Sequence, residues 1–94
     1  MTVPVQEKHK TFVLNSIAEC PANVAFWVRM TDLREKLYAR GLSRAMQDAI
    51  LRELSRTRLI SLAPDSAQMH LTAADHEAAI RIGDDYSHQV QAHA

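Results

Sequence analysis

Apolar and polar positions change period several times along the chain. Between Gln6 and Cys20, the apolar residues Phe12, Val13, Leu14, Ile17 and Ala18 stand at spacings of four and five, the pattern of a helix with one buried stripe. Pro21 stops that helix, because the residue before a proline is pushed out of helical backbone. The run "VAFWVRM" is short and dense in β-branched and aromatic residues, which predicts a strand near Phe26 to Met30. Thr31 and Asp32 open a second helix, the hydroxyl accepting an early N–H and the carboxylate facing the positive end of the dipole. Leu33, Leu37 and Tyr38 form its buried side, and Gly41 ends it in the left-handed conformation that glycine adopts without penalty. Leu42 plugs the turn and Ser43 caps a third helix that runs to about Arg56, with Met46, Ile50, Leu51 and Leu54 at helical period. "RLISLAP" and "SAQMHLT" flank the turn-forming Pro64-Asp65-Ser66 and predict a hairpin. Thr72-Ala-Ala-Asp75 is a capping box with aspartate in place of glutamate, launching a last helix through Ile82. Gly83-Asp84-Asp85 breaks it, and "YSHQVQAHA" shows no apolar period, so loose ends are expected at about 1–6 and 84–94.

Size and composition narrow the class. A chain of 94 residues has room for one domain. With 47% hydrophobic and 23% charged residues it can bury a core, which excludes wholesale disorder. The longest apolar run, Val24 to Val28, is far short of the roughly 20 residues that cross a bilayer. "MTVPVQEKHK" lacks the apolar stretch of a secretory signal. A cytoplasmic protein with no membrane contact is therefore expected. Cys20 is the one cysteine; it can form no internal disulfide and serves as a small buried hydrophobe.

Net charge is zero, but it is unevenly spread. Residues 29–58 hold eight basic side chains against four acidic ones, whereas 65–94 hold Arg81 against five carboxylates. The middle third is thus the electrostatically plausible contact surface.

The order helix, short strand, helix, tight turn, helix, two-stranded hairpin, helix resembles the winged helix-turn-helix domain, an α+β and mostly helical fold. From Val13 to about Ile82 the chain is similar to bacterial winged-helix proteins of the broad kind that includes the MarR and ArsR repressors. "LTAADHEAAIRIG" after a hairpin is similar to the end of small uncharacterised actinobacterial winged-helix proteins. The resemblance implies that the helix after the turn enters the major groove of double-stranded DNA while the hairpin wing lies on the backbone. The residues it marks are Ser43, Arg44, Gln47, Asp48 and Arg52 on that helix, Arg56 and Arg58 further along, and Ser66 and Gln68 on the wing. Arg44 would bond guanine O6 and N7, and Ser43 a phosphate. The expected function is a sequence-specific transcriptional regulator, homodimeric through its first and last helices by way of exposed parts of the Phe12 to Ile17 stripe and the Ala78, Ile80 and Ile82 region, with Phe12 and Ile17 themselves read as core.

Other features oppose this. Asp48 on the reading face repels phosphate unless it accepts from cytosine N4 or pairs with Arg44 or Arg52 at i, i+4. Lys36, Arg40 and Gln47 also fall where the older helix-turn-helix pattern requires apolar residues, so only a winged packing fits. Zero net charge and the acidic C-terminal third favour an alternative, a winged-helix protein-interaction module or adaptor subunit. That alternative gains if Asp48 and Glu53 neutralise the arginines of their helix. His76 and His88 are separated by eleven residues, not by the ten of the ArsR-type metal pattern, and no cysteine lies near them. They are expected as ordinary surface histidines, with no metal bound. There is no glycine-rich phosphate loop and no nucleophile motif, so no enzyme, no catalytic residue and no cofactor is expected.

Overall fold

The first helix, α1 (Glu7–Glu19), is closed at its start by reciprocal capping between Gln6 and His9. Val13 and Ile17 are buried one turn apart, Phe12 and Leu14 pack against the core, and Ala18 faces solvent. The structure, a computed structural model, describes residues 5–22, 26–64, 71–82 and 85–93. The expected strand over 26–30 contracts to β1 (Val28–Arg29), and α2 (Met30–Ala39) follows at once. Arg29, not Thr31, is the extended residue before this helix. Phe26 leaves the strand region altogether, with φ 65 and an exposed ring.

Helix α2 and the next helix, α3 (Arg44–Arg56), end in the same way. After α2, Leu42 N donates to Leu37 O at 3.1 Å and Gly41 N to Tyr38 O at 3.0 Å, with Gly41 at φ 88. After α3, Leu59 N donates to Leu54 O at 2.9 Å and Arg58 N to Ser55 O at 3.1 Å, with Arg58 at φ 64. Both are Schellman closures, which satisfy carbonyls of the last turn and place one residue in the left-handed region. Glycine fills that position in the first and arginine in the second. Between the helices Ser43 caps α3, its Oγ accepting from Met46 N at 3.2 Å, as its sequence predicts.

Strand β2 (Ile60–Ala63) forms from "RLISLAP". The second arm of the expected hairpin falls mainly on 65–70, outside the described residues, and Leu71 and Thr72 are not strand. Helix α4 (Ala73–Ala78) starts with the predicted capping box, in which Asp75 N donates to Thr72 Oγ1 at 3.2 Å and Thr72 N to Asp75 Oδ2 at 2.9 Å. It ends four residues before Ile82. Ala79 is extended at ψ 144, and the alternation Ile80-Arg81-Ile82 forms β3 (Ile80–Ile82), paired antiparallel with β4 (Asp85–Ser87). Two β-branched residues flanking one polar residue suit a half-buried strand better than a helical turn.

The tail expected to be loose supplies β4 and then β5 (Gln89–Ala92), the middle strand of a three-stranded antiparallel sheet in the order β1-β5-β2. Val28 and Leu62 lie opposite Val90, and Ile60 opposite Ala92. These residues face the helices, and Val90 is fully buried among a core that includes Leu33, Leu37, Ile50, Leu51 and Leu54. The apolar face of the sheet thus closes a three-helix layer. Ala78 and Ile80, expected at a dimer surface, belong to the monomer's own buried residues, while Ile82 is 38% exposed.

The two helix closures make opposite predictions. A Cβ at Gly41 meets nothing within 4 Å, so Gly41→Ala carries only the backbone penalty and lowers stability by about 1 kcal/mol. Arg58→Gly relieves a similar strain but removes a cation from a helix C-terminus, so stability holds or rises by about 0.5 kcal/mol. Urea unfolding midpoints at unchanged m-value check both.

Candidate nucleic-acid interface

Helix α3 carries most of the residues that a major-groove reader would use, and the polar residues of its first turns, Arg44, Gln47 and Asp48, are engaged inside the molecule. Gln47 falls at i−3, i−4 and i−7 from Ile50, Leu51 and Leu54, on the buried stripe, and is 0% exposed. Its Nε2 donates to Leu42 O at 3.0 Å, and its Oε1 accepts from Arg34 Nη1 at 3.0 Å. The expectation that Gln47 lies on the outer face is corrected by this packing: an amide at that phase of the helix points into the core.

Arg34, on α2, is the centre of the arrangement and is itself 3% exposed. Its Nε donates to Ala78 O at 3.0 Å, and its Nη2 lies 2.6 Å from Asp48 Oδ1. Arg44 Nε approaches the same carboxylate oxygen at 3.4 Å, and Arg44 Nη2 donates to Ala79 O at 2.9 Å. Burial pulls the Arg34 guanidinium below its ordinary proton affinity, and Asp48 beside it opposes the shift. Asp48 therefore neutralises two arginines at once, one of them almost sealed from water. Ser43 is occupied as the helix cap. Sequence reasoning missed Arg34. The signal available was the phase of Gln47 and Asp48, which sets polar groups against the inner side of α3 and requires a buried partner.

Further along, Arg52 Nη2 donates to Arg81 O at 2.9 Å, which ties α3 to β3. Arg56 is paired with Glu53, and Lys10 stands 4.0 Å from the same carboxylate. The Arg56 guanidinium holds the Glu53 carboxyl below its usual range. Six of the eight basic residues between 29 and 58 lie within 4.0 Å of a carboxylate. Arg52 and Arg58 have no ion pair among the described residues. Ala45, Arg52 and Arg56 remain exposed along α3. Ser66 and Gln68 lie outside the described residues.

A cleft of about 220 Å³ opens between α2 and α4, above the buried network. Arg34 and Arg44 line it, with Glu35, Glu77 and the half-exposed ring of Tyr38. On the other side of α4, Asp75 accepts from Arg29 Nη2 at 2.7 Å. The Thr72 backbone N–H, then Arg29, pull the Asp75 carboxyl down from 3.8 to about 2. His76 and His88 meet edge to face with ring centroids 5.5 Å apart. His88, expected at the surface, is buried where β4 passes into β5, its N donating to Ala63 O and its O accepting from Met30 N, both at 3.0 Å. Among the described residues no group of three or more His, Cys, Asp or Glu is placed to hold a metal ion, and no helix is long and apolar enough to cross a membrane.

In comparison with known proteins, no family model, no curated protein and no solved structure matches the chain.

Two predictions follow from the charge placement. Asp48→Asn leaves Arg34 buried without a counter-charge and lowers stability by about 3 kcal/mol, whereas Arg56→Ala, at an exposed pair, leaves the denaturation midpoint near that of the parent. Asp75 has a folded pKa below its unfolded one, so its stabilisation is complete above the unfolded value and disappears as pH falls through the folded one. The loss spans pH near 3.8 down to about 2. Asp75→Asn is less stable at neutral pH and lacks this component of the acid profile, as urea midpoints across that range would register.

Proposed function

We propose that the chain is a winged-helix-type module that works by docking onto a protein partner and not by reading base edges. The helix order and the sheet order β1-β5-β2 support the winged-helix reading, with α4 and the β3–β4 hairpin as an excursion between two of the strands. The closed polar face of α3 carries the choice of function. A reading helix must present free hydrogen-bonding side chains to the groove. Here Gln47 has no exposed surface and Asp48 is held between Arg34 and Arg44. In this reading the chain catalyses no reaction of its own, and function resides in its surface.

The cleft between α2 and α4 is the favoured contact. Tyr38 supplies a half-exposed aromatic at its mouth, the residue type that anchors protein interfaces. Glu35 and Glu77 line it as well, which favours a partner segment carrying Lys or Arg.

A second reading keeps DNA as the partner, because Arg52 and Arg58 have no carboxylate partners among the described residues. Such binding would rest on phosphate contacts and would carry little sequence information.

Retention of genomic DNA fragments by the purified chain separates the two. Docking predicts no fragment-selective retention at physiological salt, and any low-salt binding falls in Arg52→Ala plus Arg58→Ala. Selective retention that survives physiological salt would overturn it. In parallel, a photocrosslinking phenylalanine at Tyr38 captures a discrete partner in cells, while the same group at exposed Thr11 does not.

A further inference from the structure

Arg58 is an unusual residue for its position. The left-handed site that closes a helix is normally glycine, as Gly41 is after α2, because any Cβ is strained there. Arg58 holds φ 64 at the equivalent place after α3. Its side chain is exposed and makes no hydrogen bond or ion pair with any described residue, in contrast to Arg34, Arg40, Arg44 and Arg56. A residue kept in a disfavoured conformation without a partner among the described residues points to a use outside the fold.

A cleft of about 370 Å³ adjoins it, lined by Ser55, Arg58, Ile60, Ser61, Leu62 and His93. The pairing of β2 with β5 builds this cleft. Ser61 lies opposite Gln91, and His93 N donates to Leu59 O at 3.0 Å, which brings the imidazole to the Ser61 side chain. Ser61 Oγ and His93 Nε2 are 2.6 Å apart. When the ring nitrogen donates to Oγ, the hydroxyl hydrogen is free to donate into the cleft. The lining therefore combines a planar guanidinium, two hydroxyls and an imidazole, with no carboxylate among the described residues that line it. The negative end of the α3 dipole would oppose an anion, but three of its carbonyls are already bonded, Glu53 O by Thr57, Ser55 O by Arg58 and Leu54 O by Leu59.

We propose that this cleft binds a phosphate group, with Arg58 as the bidentate donor and Ser61, oriented by His93, as a second donor. Guanidinium and tetrahedral oxyanion match in charge and in geometry. A free phosphate and a phosphodiester in a nucleic-acid backbone share this chemistry. The site is independent of the docking cleft between α2 and α4.

The test is a titration of the full chain with inorganic phosphate at constant ionic strength, followed by amide chemical shifts. The parent shows saturable binding, with Arg58, Ser61 and His93 shifting together. Arg58→Gly, which melts no lower than the parent, binds about tenfold or more weakly. Ser61→Ala weakens binding by a smaller factor. Absence of saturable shifts in the parent, or an Arg58→Gly variant that is folded and binds as the parent does, overturns the proposal. A short DNA duplex titrated in the same way identifies the source. Duplex binding that Arg58→Gly abolishes assigns the site to a nucleic-acid backbone, and phosphate binding without it assigns the site to a free phosphate. Either supports the site.

Discussion

Burying the Arg34 guanidinium obliges α3 and the end of α4 to converge on α2. A guanidinium cannot shed its charge under ordinary conditions, and five N–H donors removed from water need acceptors. Gln47 supplies one of these from α3 and Ala78 a carbonyl from the end of α4, while Asp48, also on α3, stands 2.6 Å from Nη2 as the counter-charge. The consequence is geometric. Helix α3 must turn the polar start of its sequence toward α2, and α4 must end close enough to present a backbone oxygen. Arg44 then follows Asp48 inward and takes Ala79 O. One buried cation thereby fixes the rotation of the helix that would otherwise face outward, and with it the surface the molecule can offer.

The sheet imposes the second constraint. The apolar side of α1–α3 needs a cover, and β1 and β2 are too short and too far apart in sequence to supply it alone. β5 joins them, with Val90 opposite both Val28 and Leu62. The described part of the excursion between β2 and β5, residues 71–82 and 85–87, is held against the core by Ile80, by Ala78 and by the bond from Arg52 to Arg81 O. It packs beside α2 and α3, so the excursion and the closed face of α3 are two aspects of the same packing.

Local signals were legible where they depend on neighbours in sequence. Gly41, Ser43 and the Thr72 to Asp75 box all operate within one turn of chain, and each stands where its chemistry predicts. The ends of helices at Pro21 and Gly41 belong to the same class. Long-range pairing was not legible. "YSHQVQAHA" contains only Val90 as a strong apolar strand former, so its period of two is carried by a single residue and reads as polar tail. The strand at 80–82 reads as the end of a helix because an alanine-rich run ahead of it masks the change of period. Polar core residues are the hardest case. Gln47 and Arg34 read as surface by composition, and only the phase of Gln47 against Ile50, Leu51 and Leu54 betrays it.

The two helix closures show how local chemistry and external use can be told apart. Their hydrogen bonds are the same, and the fold asks the same of each: a left-handed residue that frees the chain to reverse. Gly41 meets that demand with no side chain and borders open space. Arg58 meets it at a conformational disadvantage, and the charge at a helix C-terminus offsets only part of that. A lysine or asparagine would serve the dipole or the turn equally well. What arginine adds is a planar fork of donors beside Ser61 and His93, on the side of the sheet built by the strand least visible in the sequence. The cleft at that end and the Asp48 network on α3 therefore use arginine in different ways. Arg34 and Arg44 hold the helices together through Asp48, whereas Arg58 has no ion pair among the described residues and is exposed to solvent beside the proposed site.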